Sequence, residues 1–508
     1  MAVLQAGLQY VTGMKTKKEE VTMMQPSCDK ILELAGDYDV IPVCKEIYAD
    51  VITPITLLRK LANISKCYYL LESIEGGEKW GRYSFLGFNP VMRVFCKNDE
   101  VTITRDGVME KISTKKPLEV IRSIMKDYKA PNLEGLPPFA GGFVGYFAYS
   151  MIGYAEPTLN INKGNFNDYD LMLFDKVIAY DHLKQKICIV VNMKTDKVME
   201  NYGKAMAEIE SITNIIRNAP ILEDQKIQQK VEFTCNVSKE AYCEIIEKTK
   251  EYIVDGDIFQ AVIARQFTSP YEGNLINPYR VLRTTNPSPY MVYMNINEEE
   301  IISTSPETLV RLQNGRLTTF PVAGSRPRGI NQEEDEKLEQ ELLADEKELS
   351  EHNMLVDLGR NDLGRISKFD TVEVTEYQMI HKYSKIMHIC SQVEGNIREE
   401  YDGLNAIEAV LPAGTLSGAP KIRACQIINE LESEQRGIYG GALGYLDFTG
   451  NLDTCIAIRM AVKKDGKVYV EAGGGIVADS VPEKEYEESA NKAAAVMNAI
   501  MNAKEVLE

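Results

Sequence analysis

The chain has 508 residues, of which 44% are hydrophobic and 26% are charged, and its formal net charge is −18. This composition is typical of a globular protein with a large core, and the negative charge argues against nucleic acid or an anionic membrane as a partner. Its ten cysteines include no CxxC pair, the N-terminus does not resemble a signal peptide, and no apolar run approaches the roughly 18 residues of a membrane span, so we expect a cytoplasmic enzyme.

Short strand-like runs separated by turns make up most of the first half. Four of these runs predict strands: Cys67–Glu72, Tyr83–Gly87, Val91–Cys96 and Val101–Arg105. Further on, Lys186–Val191 predicts another strand, and Glu200–Ala219 predicts a helix that ends before Pro220. This half therefore contains mainly strands, with a helix near its end.

The polar segment 221–231 predicts a linker between two domains, over residues 30–225 and 232–505. Directly after it, Lys239–Asp255 has the spacing of a helix. Several later runs predict strands: Tyr290–Asn295, Ile301–Ser303, Ala442–Asp447 and Lys467–Glu471. Strands follow one another more often than they alternate with helices, which predicts an α+β fold with largely antiparallel sheets rather than a doubly wound fold.

Two predicted helices each carry a pair of carboxylates. Within the predicted helix Glu341–Leu358, Glu348 and Glu351 are three residues apart and share one face. Glu485 and Glu488 have the same spacing near the start of the last helix. A capping box and a first-turn proline predict that start: Ser480, Pro482 and Glu483. Four such carboxylates can hold a hard divalent ion such as Mg²⁺, although paired glutamates are also common on ordinary helix surfaces.

Three loops rich in small residues can bring backbone N–H groups close to an anion: Pro321–Gly329, Pro412–Lys421 and Ala472–Ile476. The third loop follows a strand, and a simple tight turn or bulge is the alternative interpretation. Arg459 stands alone in an apolar run, so it needs either a structural acidic partner or an anionic ligand. His388, one of only four histidines, is structural or catalytic. Together these features predict a site for a small polycarboxylate.

In order and spacing, these segments resemble the chorismate-utilising enzyme family over residues Val237 to Ala503. The resemblance is carried by PVAGSRPRG (321–329), ELSEHNMLVDLGRNDLGR (348–365), PAGTLSGAPK (412–421), IAIRMAV around Arg459, EAGGGIVADSVPEKEYEES (471–489) and NKA (491–493). It implies the family's fold, in which two large antiparallel β-sheets pack as a sandwich flanked by helices. It also implies Mg²⁺ as the cofactor and chorismate as the substrate.

The resemblance implies roles position by position. The Mg²⁺ ligands would be Glu351 and Glu488, supported by Glu348 and Glu485. The substrate would be held by Gly324, Ser325, Thr415, Tyr439, Arg459, Gly473, Gly474 and Gly475. The catalytic residues would be Glu307, His388, Thr415 and Gln260. Among these, Glu307 would protonate the departing hydroxyl and His388 would assist the loss of pyruvate.

Two positions indicate which reaction the family resemblance implies. Aminodeoxychorismate-forming members carry a nucleophilic lysine where this chain has Ala323, and isochorismate- and salicylate-forming members carry a water-activating lysine where it has Gln260. The pair found here is that of the anthranilate-forming members, and Ser325 keeps a hydroxyl where threonine is common. We expect chorismate and ammonia to give anthranilate and pyruvate. The alternatives are a synthase that keeps pyruvate on the ring and a non-catalytic tryptophan-binding regulator.

Two segments resemble the halves of a tryptophan feedback site, which places regulation partly in the domain over residues 30–225. The predicted contacts are Leu71, Glu72, Ser73, Lys79, Asn286, Pro289, Tyr290 and Met291. We therefore expect L-tryptophan to be an inhibitor. The chain has no Gly-x-Cys-x-Gly nucleophile motif, so ammonia is expected from a separate glutamine amidotransferase subunit.

Overall fold

In the computed structural model, which describes residues 26–73, 81–161, 164–224, 230–383 and 385–503, the chain forms 24 strands and 12 α-helices. The strands are β1 (Val40–Tyr48), β2 (Cys67–Glu72), β3 (Tyr83–Phe88), β4 (Met92–Lys97), β5 (Glu100–Arg105), β6 (Val108–Ser113), β7 (Gly142–Phe147), β8 (Tyr169–Phe174), β9 (Lys176–Asp181), β10 (Lys186–Lys194), β11 (Thr234–Cys235), β12 (Gln260–Pro270), β13 (Tyr290–Ile296), β14 (Glu299–Ser305), β15 (Thr308–Gln313), β16 (Arg316–Thr319), β17 (Val322–Pro327), β18 (Glu373–Lys382), β19 (Ile386–Asn396), β20 (Gly418–Ala419), β21 (Ala442–Asp447), β22 (Leu452–Ile456), β23 (Met460–Lys464) and β24 (Lys467–Ile476). The helices are α1 (Cys28–Leu34), α2 (Pro54–Ile64), α3 (Leu118–Met125), α4 (Ile152–Ala155), α5 (Val198–Asn218), α6 (Lys239–Val254), α7 (Ile276–Thr285), α8 (Gln332–Leu343), α9 (Glu346–Gly364), α10 (Gly403–Val410), α11 (Lys421–Leu431) and α12 (Pro482–Met501).

The described strands form two antiparallel sheets of 12 strands each. The first has the order β1-β10-β9-β3-β2-β13-β14-β23-β24-β12-β11, with β20 beside β12. The second has the order β17-β19-β16-β15-β22-β21-β7-β8-β4-β5-β6, with β18 beside β19. Both halves of the chain contribute to each sheet, because β2 pairs with β13 and β7 pairs with β21. The predicted α+β fold is confirmed, and the boundary between residues 30–225 and 232–505 stays a prediction.

Strand β7 shows how the two sheets pack. Its side chains alternate, so Phe143 and Phe147 lie on the face covered by helices, whereas Val144 and Tyr146 lie in the core between the sheets. Helices α2, α5, α7 and α12 cover the outer face of the first sheet, and α3, α9 and α10 cover that of the second. The layers are therefore helices, sheet, sheet and helices.

Among the helices that the structure describes, none combines the length and the apolar character that a membrane span requires.

The helix predicted over Glu341–Leu358 is in fact two helices. Helix α8 ends at Leu343, and Asp345 is the N-cap of α9, where its carboxylate accepts hydrogen bonds from the backbone N–H groups of Lys347 and Glu348. An aspartate that bonds to the next free N–H groups favours a new helix start over continuation of the old one. The break places Glu348 in the first turn of α9.

The predicted capping box of the last helix is wrong. Helix α12 begins at Pro482, as expected, but its N-cap is Val481, which makes no side-chain capping bond. Ser480 instead accepts a hydrogen bond from the backbone of Val477 and donates one to Glu485 Oε1 at 2.8 Å. Its hydroxyl therefore orients a carboxylate of the second pair rather than the end of the helix.

Candidate active site

Five residues that are distant in sequence form what we call the central cluster: Glu307, Gly324, His388, Thr415 and Arg459. Thr415 Oγ1 donates to Glu307 Oε1 at 3.4 Å, and the charge of Arg459 acts on both Glu307 and His388. The predicted association of these residues is present in the structure. Their roles remain a proposal.

Glu307 lies in the turn between β14 and β15 and is buried, with 8% of its surface exposed. Burial raises the pKa of its carboxyl to about 8, whereas the Thr415 hydroxyl, the Val322 backbone and the charge of Arg459 favour the ionised form and oppose the shift. The carboxyl is therefore mostly protonated near pH 7. A neutral carboxylic acid in this position can donate a proton.

His388 lies on β19 opposite Ser325 of β17, whose side chain is exposed. The Nδ1 atom of His388 lies 3.0 Å from the carbonyl oxygen of Gly324. Since a carbonyl only accepts, Nδ1 carries the proton and Nε2 keeps a lone pair. Burial lowers the pKa of His388, with the charge of Arg459 adding to the effect, so the ring is neutral near pH 7 and can accept a proton.

Gly324 occupies a bulge between β17 and β19 with φ of 69°, which a side chain rarely adopts. A Cβ atom there would lie 3.1 Å from Glu348 Oε2 and 3.2 Å from Ile389 and Leu342. The absence of a side chain therefore allows the backbone to approach the first carboxylate pair. This contact connects the central cluster to helix α9.

Arg459 follows β22 with φ of 46° and is partly buried. Burial lowers the pKa of its guanidinium, and the nearby Glu307 acts in the opposite direction. Within the described residues Arg459 makes no ion pair with any carboxylate within 4.0 Å. Of the two interpretations offered by the sequence, the geometry favours an anionic ligand over a structural acid.

The glycine run 473–475 is neither the loop nor the tight turn that the sequence predicted. These residues continue β24, and they pair with Ala264, Ile263 and Val262 of β12. A Cβ on Gly474 would lie 3.0 Å from Glu485 Oε2, and one on Gly475 would lie 2.4 Å from Gln260 Nε2. Glycine is therefore needed because two polar side chains lie against the strand. The run forms a strand because β12, more than 200 residues earlier in the sequence, supplies its hydrogen bonds.

Tyr439, the remaining predicted substrate residue, is connected to the segment of Thr415 through Arg436. Thr415 belongs to a short 3-10 helix, Gly414–Leu416, that precedes α11. The carbonyl of Leu416 accepts a hydrogen bond from Arg436, and the guanidinium of Arg436 lies 5.9 Å from the ring centroid of the buried Tyr439. Burial raises the pKa of Tyr439 well above its usual value, so this residue offers a neutral hydroxyl.

The two carboxylate pairs lie close enough to repel each other. Burial raises the pKa of Glu351, and the charges of Glu348 and Glu488 raise it further. Burial also raises the pKa of Glu485, to which Glu488 adds. Lys492 Nζ lies 2.8 Å from Glu488 Oε1. Like charges held together in a partly buried site are stabilised by a cation between them.

Carboxylate oxygens are the hard ligands that Mg²⁺ prefers, so the chemistry and the mutual repulsion of the two pairs fit this ion. The arrangement of the acidic side chains, however, is not that of a complete metal site. In the part of the chain that the structure describes, no group of three or more His, Cys, Asp or Glu side chains is arranged as a metal site. The charge of Glu488 acts on Glu351, so the two carboxylates lie near each other, although the described residues do not bring three such groups together as a preformed metal site. The metal therefore remains a proposal.

Comparison with known proteins decides the family. A family model described as chorismate binding enzyme matches residues 66–498. The chain belongs to this family. It is 48% identical over 495 residues to anthranilate synthase component 1 of Acetivibrio thermocellus, covering 95% of this chain and 100% of the relative. The protein of the same name from Aquifex aeolicus is 44% identical over 488 residues, covering 95% and 99%.

Solved structures agree with this assignment. Anthranilate synthase component I from Streptococcus pneumoniae superimposes with a TM-score of 0.73 at 34% identity, covering 89% of this chain and 99% of that one. The menaquinone-specific isochorismate synthase of Escherichia coli shares the fold, with a TM-score of 0.68 at 17% identity over 93% and 98% of the two chains. The predicted resemblance, the sandwich fold and the expectation of a chorismate-utilising enzyme are confirmed.

Away from the central cluster, this member of the chorismate binding family contains a cavity of about 420 Å³ where β2 meets β13. Six of the eight residues predicted to bind tryptophan line it: Leu71, Glu72, Ser73, Pro289, Tyr290 and Met291. Asn286 does not line the cavity, because its side-chain amide donates to Thr304 Oγ1 at 2.9 Å. Lys79 lies outside the described residues. The volume is within the usual range for small-molecule sites.

Further lining residues of this cavity were missed from the sequence, including Arg311, Tyr445 and Asp453. They come from β15, β21 and β22 of the second sheet, so only the packing of the two sheets brings them to β2. The carboxylate of Glu72 accepts hydrogen bonds from Tyr279 at 2.8 Å and from Arg283 at 2.7 Å. The sequence offered one signal for these missed residues, which is that Asp453 is an acidic residue in an apolar run.

A buried ion pair anchors the end of the segment 412–421, which contains Thr415. Lys421 Nζ lies 2.7 Å from Asp362 of α9 and 2.9 Å from the carbonyl of Val410, and both charged side chains are only 10% exposed. Lys421→Met leaves the Asp362 carboxylate buried without a partner. We expect it to lower the free energy of unfolding by about 3–5 kcal/mol in chemical denaturation.

The exposed pair Lys111–Glu100 is the matched control for this prediction, with side chains 60% and 49% exposed. Lys111→Met should change the free energy of unfolding by less than about 1 kcal/mol. The double variant Lys421→Met, Asp362→Leu should recover part of the loss, because it removes both charges. Equal effects of the two single variants would contradict the importance assigned to the buried pair.

Proposed function

We propose that this chain is the chorismate-converting subunit of an anthranilate synthase. In the proposed reaction, chorismate and ammonia give anthranilate, pyruvate and water. The observation that carries the proposal is that a neutral acid, Glu307, and a neutral base, His388, lie beside Arg459, which has no ion-pair partner among the described residues. The anthranilate synthase component 1 relatives support the same reaction.

The two titratable groups have complementary roles in this reaction. Glu307 donates its proton to the hydroxyl that leaves the ring as water, while Thr415 holds the carboxyl in place. Ammonia adds to the ring carbon and loses a proton. Nε2 of His388 then accepts the ring proton as enolpyruvate leaves and the ring becomes aromatic, and protonation of the enolpyruvate at its methylene carbon gives pyruvate. The Gly324 carbonyl keeps the imidazole in the tautomer that this step requires.

The substrate has two carboxylates, and Arg459 and a bound divalent ion would each neutralise one of them. The guanidinium of Arg459 would bind the enolpyruvyl carboxylate. The four carboxylates of α9 and α12 would hold Mg²⁺, which when bound supplies the positive charge that neutralises the ring carboxylate. Neither Ala323 nor Gln260 has an amine, so this site provides no covalent lysine adduct and no lysine to activate water.

Ammonia would come from a separate glutamine amidotransferase subunit, as the absence of a Gly-x-Cys-x-Gly motif implies. None of the ten cysteines, all of which lie in the described residues, forms a disulfide, which fits the reducing cytoplasm as the place of action. The test is to mix the chain with chorismate, Mg²⁺ and an ammonium salt and to record anthranilate fluorescence. A signal that requires ammonium, and that glutamine cannot replace without a second subunit, supports the proposal. Consumption of chorismate without anthranilate would contradict it.

We also propose that L-tryptophan inhibits the enzyme by binding in the 420 Å³ cavity. The cavity combines apolar walls with polar groups, as an indole amino acid requires. Ser73→Ala is expected to raise the tryptophan concentration for half-inhibition by about 10-fold, which corresponds to the loss of one charge-assisted hydrogen bond. Inhibition curves for anthranilate formation measure the effect. Ser113→Ala, on the exposed strand β6, is the control and should leave the curve unchanged. A Ser73→Ala variant with full sensitivity would rule out this site.

A further inference from the structure

Arg265 lies on β12 beneath the start of helix α12 and is only 3% exposed. It pairs along the backbone with Ala472, next to the glycine run of β24. Within the described residues it makes no ion pair with a carboxylate within 4.0 Å. A buried guanidinium is costly unless other groups satisfy it, so its contacts indicate what it does.

The guanidinium contacts one face of α12. Its Nε donates to Ser489 Oγ at 3.0 Å, and a terminal nitrogen donates to the carbonyl of Tyr486. Ser489 Oγ itself donates to the same carbonyl at 3.0 Å. The guanidinium also lies 3.8 Å from the ring centroid of Tyr486 and 5.1 Å from those of Tyr242 and Phe267. The fork geometry of arginine is suited to holding two groups of one helix turn.

These contacts fix the rotation of α12 about its own axis. Tyr486 and Ser489 are three residues apart and share a face. Glu485 and Glu488 each precede one of them by one residue, which is about 100° around an α-helix. When Arg265 holds the helix through Tyr486 and Ser489, Glu485 and Glu488 therefore lie on the adjacent face. That face lies toward β24, because a Cβ on Gly474 would be 3.0 Å from Glu485 Oε2.

Packing alone does not require a charge in this position. Further along the same helix, Ala493, Val496, Ala499 and Ile500 are buried against the core and hold α12 on the sheet. Apolar contacts are not directional, whereas two hydrogen bonds to one guanidinium are. The first turns of α12 thus have a directional anchor in addition to the hydrophobic one.

We propose that Arg265 is a positioning residue, which turns Glu485 and Glu488 toward the carboxylates of α9 so that the four can take a divalent ion. The inference rests on the proposed function only for the identity of that ion. Among the described residues Arg265 forms no hydrogen bond or ion pair with these four carboxylates, and it acts through Tyr486 and Ser489.

The test measures metal binding separately from turnover. Mn²⁺ is titrated into the full chain without chorismate, and free Mn²⁺ is followed by electron paramagnetic resonance. We expect Arg265→Met to raise the dissociation constant for Mn²⁺ by about 10-fold, the range seen when residues that orient metal ligands are removed. Arg265→Lys keeps the charge but not the fork and should weaken binding less. Ser489→Ala, which removes one hydrogen bond and keeps the arginine, should cost about 3-fold.

Val496→Ala is the matched control, because Val496 is fully buried on the same helix but two turns away from the contact with Arg265. It should lower the melting temperature while leaving the dissociation constant for Mn²⁺ unchanged. Equal Mn²⁺ affinity in Arg265→Met, Ser489→Ala and the unmodified chain would overturn the inference, as would the absence of Mn²⁺ binding by the unmodified chain. Weaker binding in the variants of a chain that forms no anthranilate would support the inference and overturn the proposed function instead.

Discussion

Glu307→Gln is expected to lower the turnover number for anthranilate formation by about 10²–10⁴-fold, the usual contribution of a general acid. Glutamine keeps the size of the side chain and can still accept the hydrogen bond from Thr415. It has no acidic proton to give to the departing hydroxyl. Turnover at saturating chorismate, Mg²⁺ and ammonium measures the loss. The exposed Glu298 offers the control, because Glu298→Gln should leave turnover unchanged.

The pH dependence of turnover gives an independent check on Glu307. The protonated form is the active one, so turnover should fall as pH rises through about 8, the pKa to which burial raises this carboxyl. The Glu307→Gln variant has no such group and its remaining activity should lack this alkaline limb. On the acidic side, turnover should fall as His388 becomes protonated, below the usual pKa of histidine because burial lowers it. An unchanged alkaline limb in the variant would contradict the assignment.

The same raised pKa predicts how stability changes with pH. Because the folded state holds the Glu307 proton more tightly than the unfolded state, this group stabilises the fold most below its unfolded pKa of 4.5. The contribution is lost as pH rises toward about 8. Glutamine does not titrate, so the variant should be the more stable chain at alkaline pH. Lower activity together with higher alkaline stability is the pattern of a functional acid rather than a structural one.

Local sequence patterns correctly predicted strands and helices with a clear periodicity, but not segments whose conformation depends on a distant strand. Cys67–Glu72 is a strand with the predicted bounds, and the helix expected at Lys239–Asp255 ends one residue earlier. Period-two and period-3.6 patterns depend only on neighbouring residues, which explains this success. The glycine run 473–475 has no such pattern, and its conformation is decided by β12. Sequence spacing could not distinguish a turn from a strand there.

The residues of the site also fall into those predictable from local motifs and those that depend on long-range packing. The central cluster was predicted from motifs, because each residue belongs to a segment that can be matched by order and spacing. Arg265 belongs to no such motif, and its importance depends on which face of α12 lies over β12. The walls of the 420 Å³ cavity depend on the pairing of β2 with β13 and on the packing of the second sheet. Contacts that require two sheets to meet are long-range, and periodicity carries no information on them.

Arg459→Met is expected to raise the KM for chorismate by about 10²–10³-fold, because it removes the group proposed to bind the enolpyruvyl carboxylate. A lost charge-assisted bond of this kind costs about 2–5 kcal/mol of binding. Chorismate saturation curves at fixed Mg²⁺ and ammonium measure the change. The variant should also unfold at higher denaturant concentration than the unmodified chain when chorismate is absent, since the partly buried guanidinium has no ion-pair partner among the described residues.

Arg93 is the matched arginine, because its guanidinium is bonded to the fully buried carboxylate of Asp170 at 2.8 Å. Arg93→Met should lower the free energy of unfolding by about 3–5 kcal/mol and leave the KM for chorismate unchanged. The two variants thus change stability in opposite directions for one reason, the presence or absence of a carboxylate partner in the folded chain. If Arg459→Met were as destabilising as Arg93→Met and bound chorismate normally, Arg459 would have an acidic partner within the protein, and the proposed substrate site would lose its anchor.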